Sequence, residues 1–338
     1  MDISVLEKVK FEKLEILDLS FNKISNINIF ENVNFKELEE LRLYGNNISD
    51  ISVLEKVKFE KLEILDLGNN KISNINTFEN VNFKELKELF LYDSNILNIS
   101  VLGKVKFEKL EILGIDRNLT SYDINIFENV NFRELKELIL HTNSISDISV
   151  LGKVKFEKLE ILNLIGNKIS NINIFENVNF KELKALRLYG NNISDISVLE
   201  KVKFEKLEIL DLGGNNISNI NTFENVNFKE LKKLNLCFNN ILDISVLEKV
   251  KFEKLEELDL GGNNISNINI FENVNFKELK KLNLCFSNIL DISVLEKVNF
   301  EKLEELDLTQ NHIDRNKYSS VINNLKYKII LNRKRMKH

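Results

Sequence analysis

An α/β solenoid is the fold class this sequence predicts: a right-handed coil bent into a horseshoe, with a parallel β-sheet on its concave face and short helices or helical turns on its convex face. Three observations predict it. The phrase Leu-x-x-Leu-x-Leu-x-x-Asn-x-Ile occurs thirteen times, stepping by 24 residues with a single step of 25. Its apolar positions hold one register, from Leu14, Leu17, Leu19, Asn22 and Ile24 to Leu303, Leu306, Leu308, Asn311 and Ile313. No Pro and no Gly/Ser-rich stretch interrupts that frame. A unit this short cannot bury its own apolar face, so successive units must stack. One continuous solenoid is therefore expected over residues 1–313, followed by a C-terminal cap and basic tail over 314–338.

Within a unit, the strand comes first. Leu14, Leu17 and Leu19 bracket about three extended residues, and Ile16 and Asp18 alternate outward by the strand period of two. The chain then turns at Asn22, a position that is Asn in eleven of the thirteen units, with Ser94 and Ser287 as exceptions. A buried turn needs partners for its backbone donors and acceptors, and a column of amides supplies both. The return segment carries the signature of a capping box in Ser52-Val-Leu-Glu55, followed by Val57, and alternate units use Asn28-Ile-Phe-Glu31. Of 23 Phe, nineteen fall at two fixed positions of this segment, such as Phe30 and Phe35, and are assigned to the core. Beyond Ile313, the helical spacing of Tyr318, Val321, Ile322 and Leu325 predicts a cap, with Ile329 to Leu331 beside it.

The repeated phrase resembles that of leucine-rich repeat proteins. The Ile-Ser-Asp-Ile-x-x-Leu stretch of Ile48 to Leu54 is similar to the subclass found in internalins and in the leucine-rich regulatory subunit of type-one protein phosphatase. The units here are slightly longer than in that subclass, and the N-terminal cap it usually carries is absent. The resemblance implies the horseshoe fold and leaves the partner open, because this architecture hosts many functions.

Composition narrows the function. Lys and Arg number 47 against 52 Asp and Glu, so a net charge of -5 provides no strong field for nucleic acid or an anionic membrane. Met-Asp-Ile-Ser-Val-Leu-Glu-Lys lacks a secretory apolar region, and no apolar run approaches the ~18 residues of a membrane span. A cytoplasmic monomer is expected. The tail Arg333-Lys-Arg-Met-Lys337 would suit a nuclear address, although a solvated terminus explains it as well. Met1 falls inside a repeat, since Ile3 to Leu14 is identical to Ile51 to Leu62. A fragment or displaced start is expected on that ground, and secretion would follow only from a signal upstream. Cys237 and Cys285 sit two rungs apart, ~9 to 10 Å by strand spacing, too far for a disulfide.

Two unit types alternate, giving a true period of 48. Their outer segments barely change: Ile-Ser-Val-Leu-Glu-Lys-Val-Lys-Phe-Glu-Lys-Leu recurs seven times with only Gly103, Gly152 and Asn299 as departures. The strand positions facing the concave side vary widely instead. One site holds Tyr44, Tyr92, His141, Tyr189, Cys237 and Cys285, with Phe238 and Phe286 beside the cysteines. Two residues earlier stand Arg42, Phe90, Ile139, Arg187, Asn235 and Asn283. The other unit type is small and acidic there, with Asp18, Asp66, Asp211, Asp259 and Asp307.

Exposed aromatic and Arg side chains on a rigid surface are the chemistry of binding hot spots. An acidic surround favours a partner bearing Lys or Arg. The predicted binding face is therefore Arg42, Tyr44, Asp66, Phe90, Tyr92, Ile139, His141, Arg187, Tyr189, Asp211 and Asp259, with Phe238 and Phe286 as a second cluster. Drift among recent duplicates is the competing explanation, but drift would have altered the outer segment equally. The unit from Leu110, with its one-residue insertion near Asp116, Arg117 and Asn118, is either a specificity feature or a tolerated defect.

Catalytic patterns are missing. The three His, at 141, 312 and 338, stand in unrelated contexts, and no phosphate-binding Gly loop, nucleophile elbow or metal-spaced Cys/His set occurs. The expected function is non-catalytic protein binding, without cofactor, metal, nucleic acid or membrane. Two alternatives are a regulatory subunit of a protein phosphatase or other enzyme, and a surface adhesin if an upstream signal exists.

Overall fold

The computed structural model of the chain describes residues 2–9, 11–94, 96–116, 119–298, 300–325 and 328–331. Arg117, Asn118, Asn299 and the basic tail lie outside the described residues. The chain divides into two compact units, Met1–Lys168 with Asn177–Phe180, and Ile169–Glu176 with Lys181–His338.

The first unit holds seven strands: β1 (Ile16–Asp18), β2 (Glu40–Arg42), β3 (Ile64–Asp66), β4 (Glu88–Phe90), β5 (Ile112–Gly114), β6 (Glu137–Ile139) and β7 (Ile161–Asn163). They pair in parallel and in sequence order, with Leu17, Leu41, Leu65, Leu89, Leu113, Leu138 and Leu162 in one row. The second unit follows the same plan with β8 (Ala185–Arg187), β9 (Ile209–Asp211), β10 (Lys233–Asn235), β11 (Glu257–Asp259), β12 (Lys281–Asn283), β13 (Glu305–Asp307) and β14 (Lys328–Ile330). Here the row runs Leu186, Leu210, Leu234, Leu258, Leu282, Leu306 and Ile329. The last strand belongs to no repeat: after helix α1 (Ser319–Asn324) the chain returns to pair with β13. Tyr318 and Val321 are buried there, and Ile322 and Leu325 are half-buried.

From the second repeat to the twelfth, the leucines and isoleucines of the repeated phrase lie in the interior, most of them fully buried. The phenylalanines pack edge to face between neighbouring coils, as in Phe30–Phe59 and Phe78–Phe107 in the first unit and Phe223–Phe252 and Phe271–Phe300 in the second, with centroids 5.9 to 6.0 Å apart. Such pairs contribute about 0.5–1.5 kcal/mol each beyond the area they bury.

The Asn column does what a buried turn demands. Asn46 donates from Nδ2 to the carbonyls of Leu43 and Leu19, each at 2.9 Å, and accepts the Ile24 amide at 3.0 Å. Asn70, Asn215, Asn239 and Asn263 repeat these bonds. One amide thus ties its own coil to the preceding one, replacing backbone partners that water cannot reach.

The outer segments depart from expectation in how they are capped. They are four-residue 3-10 turns such as Ser52–Glu55 and Asn76–Glu79, and the cap position, Ile51 or Ile75, makes no side-chain bond. The capping box read from Ser52 and Glu55 is therefore incorrect. The residue two positions earlier supplies the acceptor instead, with Asp50 Oδ1 receiving the Ser52 amide at 2.8 Å and Asn74 Oδ1 the Asn76 amide at 2.8 Å. A short Asx side chain closes this turn locally, which frees the Glu to reach the next coil. Glu31 pairs with Lys56 at 3.0 Å and Glu79 with Lys104 at 3.1 Å. Exposed pairs of this kind contribute roughly 0–1 kcal/mol each.

The inserted residue of the fifth repeat is taken up in the same region. Its turn lengthens to six residues, Asp123–Glu128, and Asp123 Oδ2 accepts from the Thr120 amide at 2.7 Å and from Thr120 Oγ1 at 2.6 Å. Strand register is undisturbed, since Leu113 still opposes Leu138.

Candidate protein-binding face

Because the second and third leucines of a repeat point into the core, the residues between and just after them line the solvent side of the sheet. In the first unit the row between the leucines runs Asp18, Arg42, Asp66, Phe90, Gly114, Ile139 and Asn163. Arg42 lies between two carboxylates in register and forms an ion pair with Glu40 at 3.0 Å. That hydrogen bond to Glu40 raises the guanidinium pKa further. Asp66 is half-buried, and desolvation raises its carboxyl pKa despite the Gly68 amide it accepts at 2.9 Å.

Aromatic rings cover much of this face. Tyr44 meets Phe21 edge to face at 5.2 Å, and a recess of about 450 Å³ opens beside them, lined by Asp18, Ser20, Phe21, Arg42, Tyr44 and Asp66. Further along, Phe90, Tyr92 and His141 form one stack, with centroids 5.5 and 5.6 Å apart. Tyr92 lies across Gly114, and burial raises its phenol pKa. His141 is fixed by Thr142 Oγ1 at 3.1 Å and faces Asp116 at 3.5 Å. Asp116 is buried and accepts the Asp93 amide. Ile139 is half-exposed on β6 in register with Gly114.

The second unit carries Arg187, Tyr189, Asp211, Phe238, Asp259 and Phe286. Arg187 opposes Asp211 on the neighbouring strand. Tyr189 lies over Gly213, in the space a side chain there would need. Desolvation raises the Asp211 and Asp259 carboxyls above the ordinary range, against amide bonds from Gly213 at 3.2 Å and Gly261 at 2.9 Å. Phe238 and Phe286 are 54% and 57% exposed. Both sit in left-handed backbone, with φ of 51° and 50°, where the equivalent residues of other repeats are Gly45 and Gly190. Cys237 and Cys285 are free thiols, and burial pushes the Cys237 thiol up to about 12.

The two alternating unit types give a relief in which the large rings lie over the small residues of the next coil. Tyr44 leans over Gly68, Tyr92 over Gly114 and Tyr189 over Gly213, so each large ring fills the gap above a small neighbour. The reason is packing: a ring left upright would lose contact on both flanks.

Sequence reasoning missed several exposed apolar side chains. Phe21 is 79% exposed and occupies the Phe238 position of its own repeat. Leu97, Leu242 and Leu290 replace the Ser found at Ser49, Ser146 and Ser194, and are all exposed. That substitution was the available signal. Among the described residues no group of His, Cys, Asp or Glu could hold a metal ion.

No curated protein matches the chain by sequence. Two family models do: leucine-rich repeats in two copies over residues 36–80 and 181–225, and a single leucine-rich repeat over 12–27 and 253–268. Among solved structures, the internalin InlF of Listeria monocytogenes is 27% identical, with a TM-score of 0.76 over 96% of this chain and 88% of that one. A leucine-rich repeat protein of Leptospira interrogans is 21% identical, with a TM-score of 0.69 over 97% and 98%. PEPR1, in its structure with AtPEP1, gives 22% identity and a TM-score of 0.60 over 92% of this chain and 47% of its own. The repeated phrase, the in-register leucine rows and these matches together make the chain a leucine-rich repeat protein that resembles the internalins.

Proposed function

We propose that the protein is a non-catalytic scaffold that docks a protein partner on the solvent side of its sheet, and that the partner's surface is basic or mixed basic and apolar. The leucine-rich repeat fold is a general protein-interaction scaffold, which supports the class of function. The observation that carries the finer reading is the concentration of aromatic rings beside carboxylates on the strand face, above all the Phe90–Tyr92–His141 stack and the Tyr44 recess with Asp18 and Asp66. Rings held by neighbours lose little entropy on binding, and half-buried carboxylates regain a partner when a cation arrives.

The test is affinity capture from a lysate with the full chain and with Tyr44→Ala combined with Tyr92→Ala, followed by quantified affinity for whatever is recovered. The double variant is expected to keep its far-ultraviolet dichroism and to weaken binding by more than ~1 kcal/mol. Unchanged affinity removes this face from the interface. A phosphatase assay on the captured material decides whether the scaffold works as an enzyme regulator: recovery of partners without phosphatase activity counts against that reading.

A further inference from the structure

The second unit presents one surface element twice. Asp211, Gly213, Asn235, Cys237, Phe238 and Leu242 recur 48 residues later as Asp259, Gly261, Asn283, Cys285, Phe286 and Leu290. The repetition extends to geometry. Each Asp accepts the amide of the following Gly, at 3.2 and 2.9 Å, and each Asn accepts the amide of the following Cys, at 3.0 Å in both copies. The Phe backbones match at φ 51° and 50°, and the ring exposures match at 54% and 57%.

Each copy consists of an acidic flank, a low floor and an aromatic flank. The floor is buried Gly213, Cys237 and Gly261, with the Tyr189 ring lying over Gly213 and Cys285 Sγ in the space a β-carbon on Gly261 would need. Two neighbouring cations are engaged elsewhere, Lys233 and Lys281 both turning to Glu257 at 3.1 and 3.8 Å, while Arg187 stands in register with Asp211 on the preceding strand. Among the described residues, no Lys or Arg comes within ion-pair distance of Asp211 or Asp259. The face therefore offers two acidic subsites, each followed on the next coil by a solvent-exposed ring three residues beyond the Asn in register with the Asp.

Successive copies lie two strand spacings apart, about 9.6 Å. This translation selects the conformation of an occupant lying across the strands. A polyproline-II chain advances ~9.3 Å per three-residue turn and returns every third side chain to one face. An extended strand repeats same-face side chains at about 6.8 Å, and an α-helix repeats its turns at ~5.4 Å. Only the first matches two consecutive subsites. Aromatic-lined surfaces are also the usual seat of polyproline-II segments, whose rings and apolar edges pack on exposed aromatic faces.

We infer that this doubled surface docks a polyproline-II segment carrying Lys or Arg at every third residue, with successive cations on Asp211 and Asp259 and the intervening residues against Phe238 and Phe286. The inference rests on the proposed protein-binding role and specifies its partner.

Fluorescence anisotropy on the full chain tests it, with labelled (Pro-Pro-Arg)4 as the probe and a peptide of identical composition with its four Arg clustered at one end as the control. At ~150 mM salt, where long-range attraction is screened, the periodic peptide is expected to bind at least ~10-fold more tightly than the clustered one. Phe238→Ala with Phe286→Ala, and separately Asp211→Asn with Asp259→Asn, should each reduce that binding by about 5-fold or more. Should either pair fail to fold, the other carries the same test. Equal binding of the two peptides, or no saturable binding of the periodic one, overturns the inference. If lysate capture still yields a partner sensitive to the Tyr44 and Tyr92 variants, the scaffold reading stands while this one falls.

Discussion

Tyr92 occupies the space that a β-carbon on Gly114 would need, and from there it stacks on Phe90 at 5.5 Å and on His141 at 5.6 Å. The glycine belongs to the strand next to that of Phe90, so three consecutive coils cooperate to hold one ring system.

Gly114→Ala should displace Tyr92 and break the stack. The backbone there needs no special conformation, so the effect is steric: the ring must swing out or the strand must shift. A loss of about 1 kcal/mol is expected, read by urea denaturation, together with a change in the His141 ring resonances. An unaltered His141 environment would show that the ring accommodates the methyl group without moving.

Asn215 accepts the Ile193 amide at 2.9 Å and donates to Leu188 and Leu212 carbonyls at 3.0 Å. Asn215→Ala strands these buried groups and should cost about 1–3 kcal/mol. Asn215→Ser should cost less, since Ser94 and Ser287 fill the same place and donate to the Tyr92 and Cys285 carbonyls at 3.3 and 3.5 Å. Chemical denaturation ranks the two variants. An Ala variant as stable as the Ser variant would remove the hydrogen-bonding account of this column.

Burial raises the Asp259 carboxyl above its ordinary value of 3.8. A raised carboxyl is held more tightly protonated in the folded state, so stability is greatest below the ordinary value and declines as pH rises through the folded one. Asp259→Asn removes the ionisation. It should raise the melting temperature at pH 7 by about 1–3 °C and leave it nearly unchanged at pH 3. A lower melting temperature at pH 7 would mean that the charge is stabilised where it stands. Gained stability with lost partner affinity is the signature of a carboxylate kept for binding.

Much of this fold is legible in one dimension because the leucine spacing dictates which side chains meet. Leu17 opposes Leu41 for the same reason that Leu258 opposes Leu282, and a frame shift of one residue would turn either row outward. The cap was misread because Ser52 and Glu55 satisfy a helical pattern, whereas a 3-10 turn places Asp50 nearer the free amide. The candidate site was legible as a set of variable positions, but its relief was not. That Tyr44 and Tyr189 lie down over Gly68 and Gly213 depends on the emptiness of the next coil, which no spacing within one repeat reveals. Phe21 escaped notice because its repeat carries Asp18 and Ser20 beside it, and its ring gains a role only through Tyr44.

The amide column has a consequence for how such a chain can form and change. Asn46 reaches only residues 22 and 27 positions away and its own turn, and its counterparts do the same. Wiring this local gives assembly no obligatory starting point: any adjacent pair of coils can nucleate, and order can spread toward both termini. It also makes contour length an evolutionary variable, since a 48-residue pair can be copied or lost while both joints keep the same bonds.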